Sequence, residues 1–298
     1  MTRGAALVLL LVALACLLAP FYAGRVAGAD PFRSNINGGV GGEEVLAENP
    51  DGLGVTPIGP GWRGAYLLGA DAQGRDVAAR LLYGGRNSLL IAGCATALCL
   101  ALALVAGVLA GFLGGRVDTV LAGLLDLLWA FPVYLLAISL SIVLINQGLQ
   151  LGPLLVSADS LALPILILGV VYVPYVARPI RAQVLALRDD EFVQAAVSLG
   201  GAPRHILRRH VLPHVWPTVI GFAPVVAAMA LLTEAALSVL GIGVQAPAAS
   251  WGTLIADGQA LIYSRPVVAI APGLAIVVTV LALNVLGEAL RGALDPRG

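Results

Sequence analysis

Six long apolar runs alternate with polar stretches along the chain, at residues 5–23, 88–113, 117–145, 161–187, 214–240 and 266–290. About 20 apolar residues at 1.5 Å rise cross a hydrocarbon core of ~30 Å, so each run has the length of a span. The pattern predicts an all-α polytopic membrane protein with six transmembrane helices. The first run is free of charge and follows Arg3. A cleaved signal peptide is the competing reading, because Ala27-Gly28-Ala29 could serve as a cleavage site, although the run exceeds the usual ~7–15 residue apolar region. Gly93, Gly107 and Gly111 give the second span a small-residue surface for close helix contact. Pro132 predicts a kink in the third span. Pro164, Pro174 and Pro179 fall in the fourth, where neighbouring helices must satisfy the freed backbone groups.

Two polar stretches stand out. Residues 24–87 form a long Gly/Pro-rich loop, which divides the chain into 1–87, a first span plus this loop, and 88–298, a five-helix core. Residues 189–213 are the most polar part of the second half. Phe192, Ala195, Ala196 and Leu199 share one face at helical spacing, with Glu191, Gln194 and Ser198 on another. Asp189, Asp190 and Glu191 lie where a helix dipole favours negative charge. Gly200-Gly201 stops that helix and Pro203 opens another. Arg208, Arg209 and His210 then bring positive charge towards the second helix's C-terminus. The prediction is a helix–turn–helix hung between two spans.

Composition sharpens this picture. The 298 residues are 59% hydrophobic and 11% charged, with mean hydropathy +0.94, well outside soluble globular usage. All 17 basic residues are Arg. Without Lys there is no Walker A motif, so the chain is not a standard P-loop ATPase, and no Schiff-base enzyme either. A net charge of zero gives no sign of nucleic-acid binding. Cys16, Cys94 and Cys99 all lie in apolar runs and read as small hydrophobes, not as a metal or disulfide set.

Charge also sets the orientation. With both termini cytoplasmic, the inner side holds Arg3, Arg116, Arg178, Arg181, Arg188, Arg204, Arg208, Arg209, Arg291 and Arg297. The two short outer loops, 146–160 and 241–265, hold only Arg265. Arg25, Arg33, Arg63, Arg75, Arg80 and Arg86 fall in the long loop, whose length weakens their vote. Arg75, Arg80 and Arg86 lie near a span and argue mildly the other way. The short loops decide for 189–213 on the cytoplasmic side.

QAAVSLGG with Leu212-Pro213 resembles the "EAA" loop of ABC-transporter permeases. Ala195, Ala196, Gly200, Leu212 and Pro213 match, while Gln194 replaces the usual Glu and His210 the usual Ile. LLGADAQGRDVAARLLYGGRNSLL resembles the segment before the second span of dipeptide, oligopeptide and nickel ABC permeases. The motif match includes Asp71, Gly74, Arg75, Asp76, Arg80, Gly84 and Ser88. A solvated amphipathic helix on the membrane surface is the expected form of this stretch. LLTEAALSVLGIGVQAPAASWGTLIADG resembles the same family through Glu234, Ser238, Gly241, Gly243, Gln245, Pro247, Ser250, Trp251, Asp257 and Gly258. LRGALDP resembles its C-terminus, so the likeness runs from Leu67 to Pro296 and fits the second, C-type subunit best.

The resemblance implies a non-catalytic permease subunit of an ATP-driven importer of di- or oligopeptides. A nickel or other small-solute permease of the same family is the alternative. It further implies a homologous second permease subunit, two ATPase subunits that bind ATP and Mg, and an extracytoplasmic binding protein. The coupling loop would then be Glu191, Gln194, Ala195, Ala196, Gly200, Gly201, Leu212 and Pro213. No cofactor, metal or catalytic residue is expected in this chain.

Asp126 and Glu234 lie within spans, where charge costs about 3 kcal/mol or more, so both should face the bundle interior or water. Each can line the solute path or tie helices together. Trp129 and Trp216 are candidate interface anchors. Trp251 can touch a binding protein or pack a re-entrant loop. An intramembrane enzyme would need a nucleophile–base pair or a metal set at depth. His205, His210 and His214 cluster instead around the polar loop, with no HExxH Glu.

Overall fold

The computed structural model describes residues 2–28, 30–40, 43–48, 55–61, 65–151, 154–157 and 159–294. Arg63, Arg297 and the Asp295-Pro296 end of LRGALDP lie outside them.

Among the described residues, three helices are long and apolar enough to cross a membrane alone, and three bent pairs qualify when each is taken as one span. The first pair is α1 (Thr2–Leu17) with α2 (Ala19–Phe21), which runs on through a π-helical turn at Tyr22–Ala27. The two parts meet at 44°. A single long helix, α3 (Val77–Leu113), follows. Next come α4 (Gly115–Trp129) and α5 (Val133–Gln147), then α6 (Ala162–Val171) and α7 (Val173–Asp189), which meet at 40°. The short α8 (Glu191–Ser198) and α9 (Pro203–Ile206) precede α10 (Leu212–Val239), α11 (Trp251–Gln259) and α12 (Val267–Leu294). All six apolar runs are therefore helical.

Three expectations need correction. The third span is not kinked but broken, with α4 and α5 meeting at 88°. Proline removes a backbone donor, clashes with the preceding turn, and drives the residue before it out of the helical region. Pro132 accordingly has extended backbone (φ −54°, ψ 129°) and stands as the N-cap of α5. Residues 77–87 are not a surface helix but the first turns of α3. Val77, Ala78, Ala79, Arg80, Gly84 and Gly85 lie in the protein interior, with Arg80 3% exposed, while Arg86 is exposed. The second helix of the polar loop is not separate either. α9 passes through a π-helical turn, Leu207–Val211, straight into α10. The wider turn, closed by Leu212 N–H to Leu207 O, comes just before Pro213, whose ring would clash with a tight preceding turn.

The core runs along α3, which packs on α6, α7 and α10. A Cβ on Gly107 would lie 2.7 Å from Ala177 O, and one on Gly111 2.8 Å from Val184 Cβ. Only a bare backbone fits there, as the small-residue surface predicts; Gly93 faces open space. α12 packs on α10, α11 and α1.

Among its described residues, the long loop holds two short antiparallel ribbons that the sequence pattern did not reveal. They are β1 (Gly39–Val40) with β2 (Glu43–Glu44), and β3 (Leu46–Glu48) with β4 (Val55–Pro57). A third, β5 (Leu149–Leu151) with β6 (Leu154–Val156), joins α5 to α6. Val45, Tyr66 and Ala70 form a small core of their own. Burial, reinforced by the Asp76 and Asp71 carboxylates, pushes the Tyr66 phenol above its ordinary value. It stays a neutral donor to Gly74 O at 3.0 Å and accepts from Asn35 Nδ2 at 2.9 Å.

Candidate functional site

α8 hangs at one end of the bundle, and its stop is built by two glycines. Gly201 N–H reaches back to Ala196 O at 3.0 Å and Gly200 N–H to Val197 O at 2.9 Å, the paired bonds of a Schellman turn. Gly200 adopts φ +79°, where a side chain is strained. A Cβ on Gly201 would press to 2.7 Å from Ala196 O. Gln194 Nε2 donates to Arg188 O at 3.0 Å, fastening α8 to the end of α7. Val193 and Ile206 are buried beneath the loop. Val197 and Leu199 point away from it, with Leu199 89% exposed, while Phe192 rests against His214 with ring centres 5.2 Å apart. Glu191 and Ala195 are exposed and Ala196 half-buried. Leu212 packs partly into the core, and Pro213 lines a cleft beside α10. Val197 and Leu199 thus leave an apolar tip exposed at this end of the bundle.

Glu234 lies inside the bundle, 0% exposed. Ser88 Oγ on α3 donates to its Oε2 at 2.9 Å, and Ser238 Oγ, one turn along α10, to its Oε1 at 2.7 Å. Each serine in turn accepts a backbone N–H. Trp251 N reaches Ser88 Oγ at 3.1 Å, and Val244 N reaches Ser238 Oγ at 3.0 Å. One carboxyl group thereby joins α3, α10, the start of α11 and the loop between them.

Asp126 is placed quite differently. It is exposed on α4 and accepts from Arg178 Nη2 on α7 at 2.6 Å. The Arg178 guanidinium also lies over the Trp129 ring, 5.1 Å from its centre. Towards the α8 end, Arg181 Nη2 donates to Asp118 Oδ2 at 2.6 Å, with a second bond from Arg181 Nε to Asp118 Oδ1. Asp126 and Glu234 therefore do not share a site. The sequence reading used Arg178 only as a topology charge. Its spacing of three from Arg181, inside an apolar run, was the available signal.

At the opposite end, four charges lock α11 to the start of α3. Asp257 Oδ2 accepts from Arg75 Nη2 at 3.0 Å and Arg80 Nη2 at 2.9 Å. Asp71 Oδ2 accepts from Arg75 Nε at 2.7 Å, and Asp71 Oδ1 caps the Gln73 and Arg75 N–H groups. Trp251, 2% exposed, donates Nε1–H to Leu81 O at 3.1 Å. Gly85 leaves room for it, since a Cβ there would meet Cys16 Sγ at 2.5 Å and Trp251 at 2.7 Å. Trp251 thus packs a folded-back segment, the second of its two sequence readings.

Residues 103–297 match the family model described as binding-protein-dependent transport system inner membrane component. The chain belongs to that family. The matched part of this inner membrane component contains α8, Asp126, Arg178, Glu234 and Trp251. A putative peptide transport system permease protein of Brucella suis is 35% identical over 289 residues, spanning 97% of this chain and 85% of that protein. The dipeptide transport system permease protein DppC of Alkalihalophilus pseudofirmus is 35% identical over 78% of this chain and 72% of its own length. Among solved structures, a chain of the MetNI methionine ABC transporter in inward-facing conformations superposes with TM-score 0.58. It covers 72% of this chain and 96% of that one at 17% identity, a likeness of fold.

Proposed function

We propose that this chain is the membrane-spanning subunit of an ATP-driven importer that takes up di- or oligopeptides. Its membership of a binding-protein-dependent transport family and its similarity to peptide and dipeptide permeases support the reading. The single observation that carries the coupling role is the apolar tip of α8, held on a Schellman turn and otherwise left uncovered. In this reading Leu199, Phe192 and Ala195 enter a groove on an ATPase subunit, while Glu191 and Gln194 border the contact. Gly200 and Gly201 fix the turn, and Leu212-Pro213 passes the motion into α10. ATP and Mg are held by two ATPase partners. A second permease subunit closes the path, and an extracytoplasmic binding protein delivers the peptide. Arg188, Arg204, Arg208 and Arg209 crowd the α8 end, and by the positive-inside rule they support a cytoplasmic position for it and for both termini.

Glu234 is read as a clamp between helices, because its carboxyl oxygens are both taken by serines of the same chain.

The test is copurification from membranes. The parent chain should bring down its ATPase partners. Leu199→Asp, a change at a fully solvated tip, should lose them while inserting normally. Retention of the ATPases by Leu199→Asp would overturn the coupling assignment.

A further inference from the structure

Asp126 and Arg178 form an ion pair that stays open, with side chains 68% and 40% exposed. Asp126 is eleven residues along α4 from Gly115, and Arg178 eleven residues back along α7 from Asp189. At 1.5 Å per residue, each lies about 16 Å along its helix from the α8 end, inside the bent helix pair that makes up its span. Exposed charge at that depth does not face lipid. This face of α4 and α7 is therefore wet or covered by protein.

Its neighbours favour water. Trp129, beneath the guanidinium, stacks on Tyr175 with ring centres 6.4 Å apart, and Tyr175 meets Phe222 edge-on at 5.6 Å. Phe222 in turn lines a cleft of about 450 Å³ at the α8 end, together with Gln183, His214, Thr218 and Arg291. A continuous polar and aromatic strip thus leads from the cleft up to the ion pair, along α10, α7 and α4. Apolar residues would suffice for a lipid-facing surface.

The geometry points to this strip as the subunit's wall of the solute path, with Asp126 and Arg178 as a charged step that takes a zwitterionic solute by its ends. The inference rests on the peptide-importer reading above. The solute ammonium exchanges onto Asp126 and the solute carboxylate onto Arg178, so the site is neutral before and during passage. Trp129 gives the guanidinium a second partner when Asp126 lets go. The ends of even a dipeptide are about 7 Å apart, wider than the 2.6 Å pair, so they engage it one after the other.

The experiment uses the assembled transporter in liposomes, with trialanine, its N-acetyl form and its C-terminal amide as probes. Each variant is compared with the parent peptide by peptide, which cancels any preference of the binding protein. Asp126→Asn should slow trialanine and the amide about tenfold, the scale of one lost charge-assisted hydrogen bond, and leave the N-acetyl peptide unchanged. Arg178→Gln should slow trialanine and the N-acetyl peptide and spare the amide. Equal slowing of all three peptides, or none, would overturn the assignment. If the parent moves none of the three, the peptide reading itself fails. The wall is then still tested by thiol labelling in a Cys94→Ser background, since Cys16 and Cys99 are buried. Asp126→Cys should react with a charged, membrane-impermeant thiol reagent within about tenfold of the rate at Arg204→Cys, an exposed position outside the proposed ATPase contact. No reaction would mean the face is sealed by protein, and the path assignment would fall.

Discussion

Gly200 and Glu234 show two ways in which one residue governs a membrane protein. At Gly200 the constraint is conformational, since nothing lies within 4 Å of a Cβ built there, yet φ is +79°. A β-branched residue pays about 1–2 kcal/mol or more in that region, whereas Asn enters it readily. Gly200→Val should abolish ATPase copurification with insertion intact, and Gly200→Asn should largely retain it. At Glu234 the constraint is hydrogen bonding. Glu234→Ala leaves the Ser88 and Ser238 hydroxyls without their acceptor in a closed interior, at about 1–3 kcal/mol each. The thermal unfolding midpoint in detergent should fall clearly. A variant with parental unfolding but altered transport would make Glu234 a path residue instead. The Gly200 turn was legible in the sequence because a Gly-Gly pair follows directly on an amphipathic octet. The surroundings of Glu234 were not, because its partners come from residue 88 and from one turn onward, and a serine in a span announces nothing by itself.

The short helix α11 is held from several sides, by α12, α10 and α3. Gly252 lets it approach α10 closely, where a Cβ would lie 2.5 Å from Ala235 O. Ser250 and Thr253 cap its start reciprocally. The Arg75–Arg80–Asp71–Asp257 cluster fixes its far end to α3. Removing one member of a buried ionic set leaves uncompensated charge, at about 3 kcal/mol or more. Asp71→Asn should therefore loosen α11, seen as faster amide exchange across 251–259, with α8 and α9 unaffected. The sequence pattern marks Arg80 as a surface charge because one of its two acidic partners, Asp257, is 177 residues away. The fold alone brings them together and turns a polar stretch into interior. Pro132 was legible as a disturbance, but not as a right-angle break, since the angle depends on where α5 finds its packing against α6.

At the scale of the whole molecule, the loops sort to two ends as an alternating six-pass chain requires. Gly114 approaches the Arg188 side chain, and Arg291 packs by Gly221 near the start of α10. The C-terminal part of α12 therefore lies at the α8 end. Arg265 donates to Pro57 O at 2.7 Å, which puts the long loop and the α11 connection together at the other end. An impermeant thiol reagent applied to intact cells should miss Arg204→Cys and Leu199→Cys and label Tyr263→Cys, which is fully exposed. The reverse pattern would invert the topology. Span number was the most legible feature, because apolar run length sets it without any knowledge of packing.

The contact of α1 with α12 has a consequence for how the protein is made. α1 leaves the ribosome well before α12, yet part of its resting place is on α12. Until α12 is inserted, α1 has only a partial seat, on α3. Quality control during insertion therefore has a long window on this chain, which closes when α12 docks.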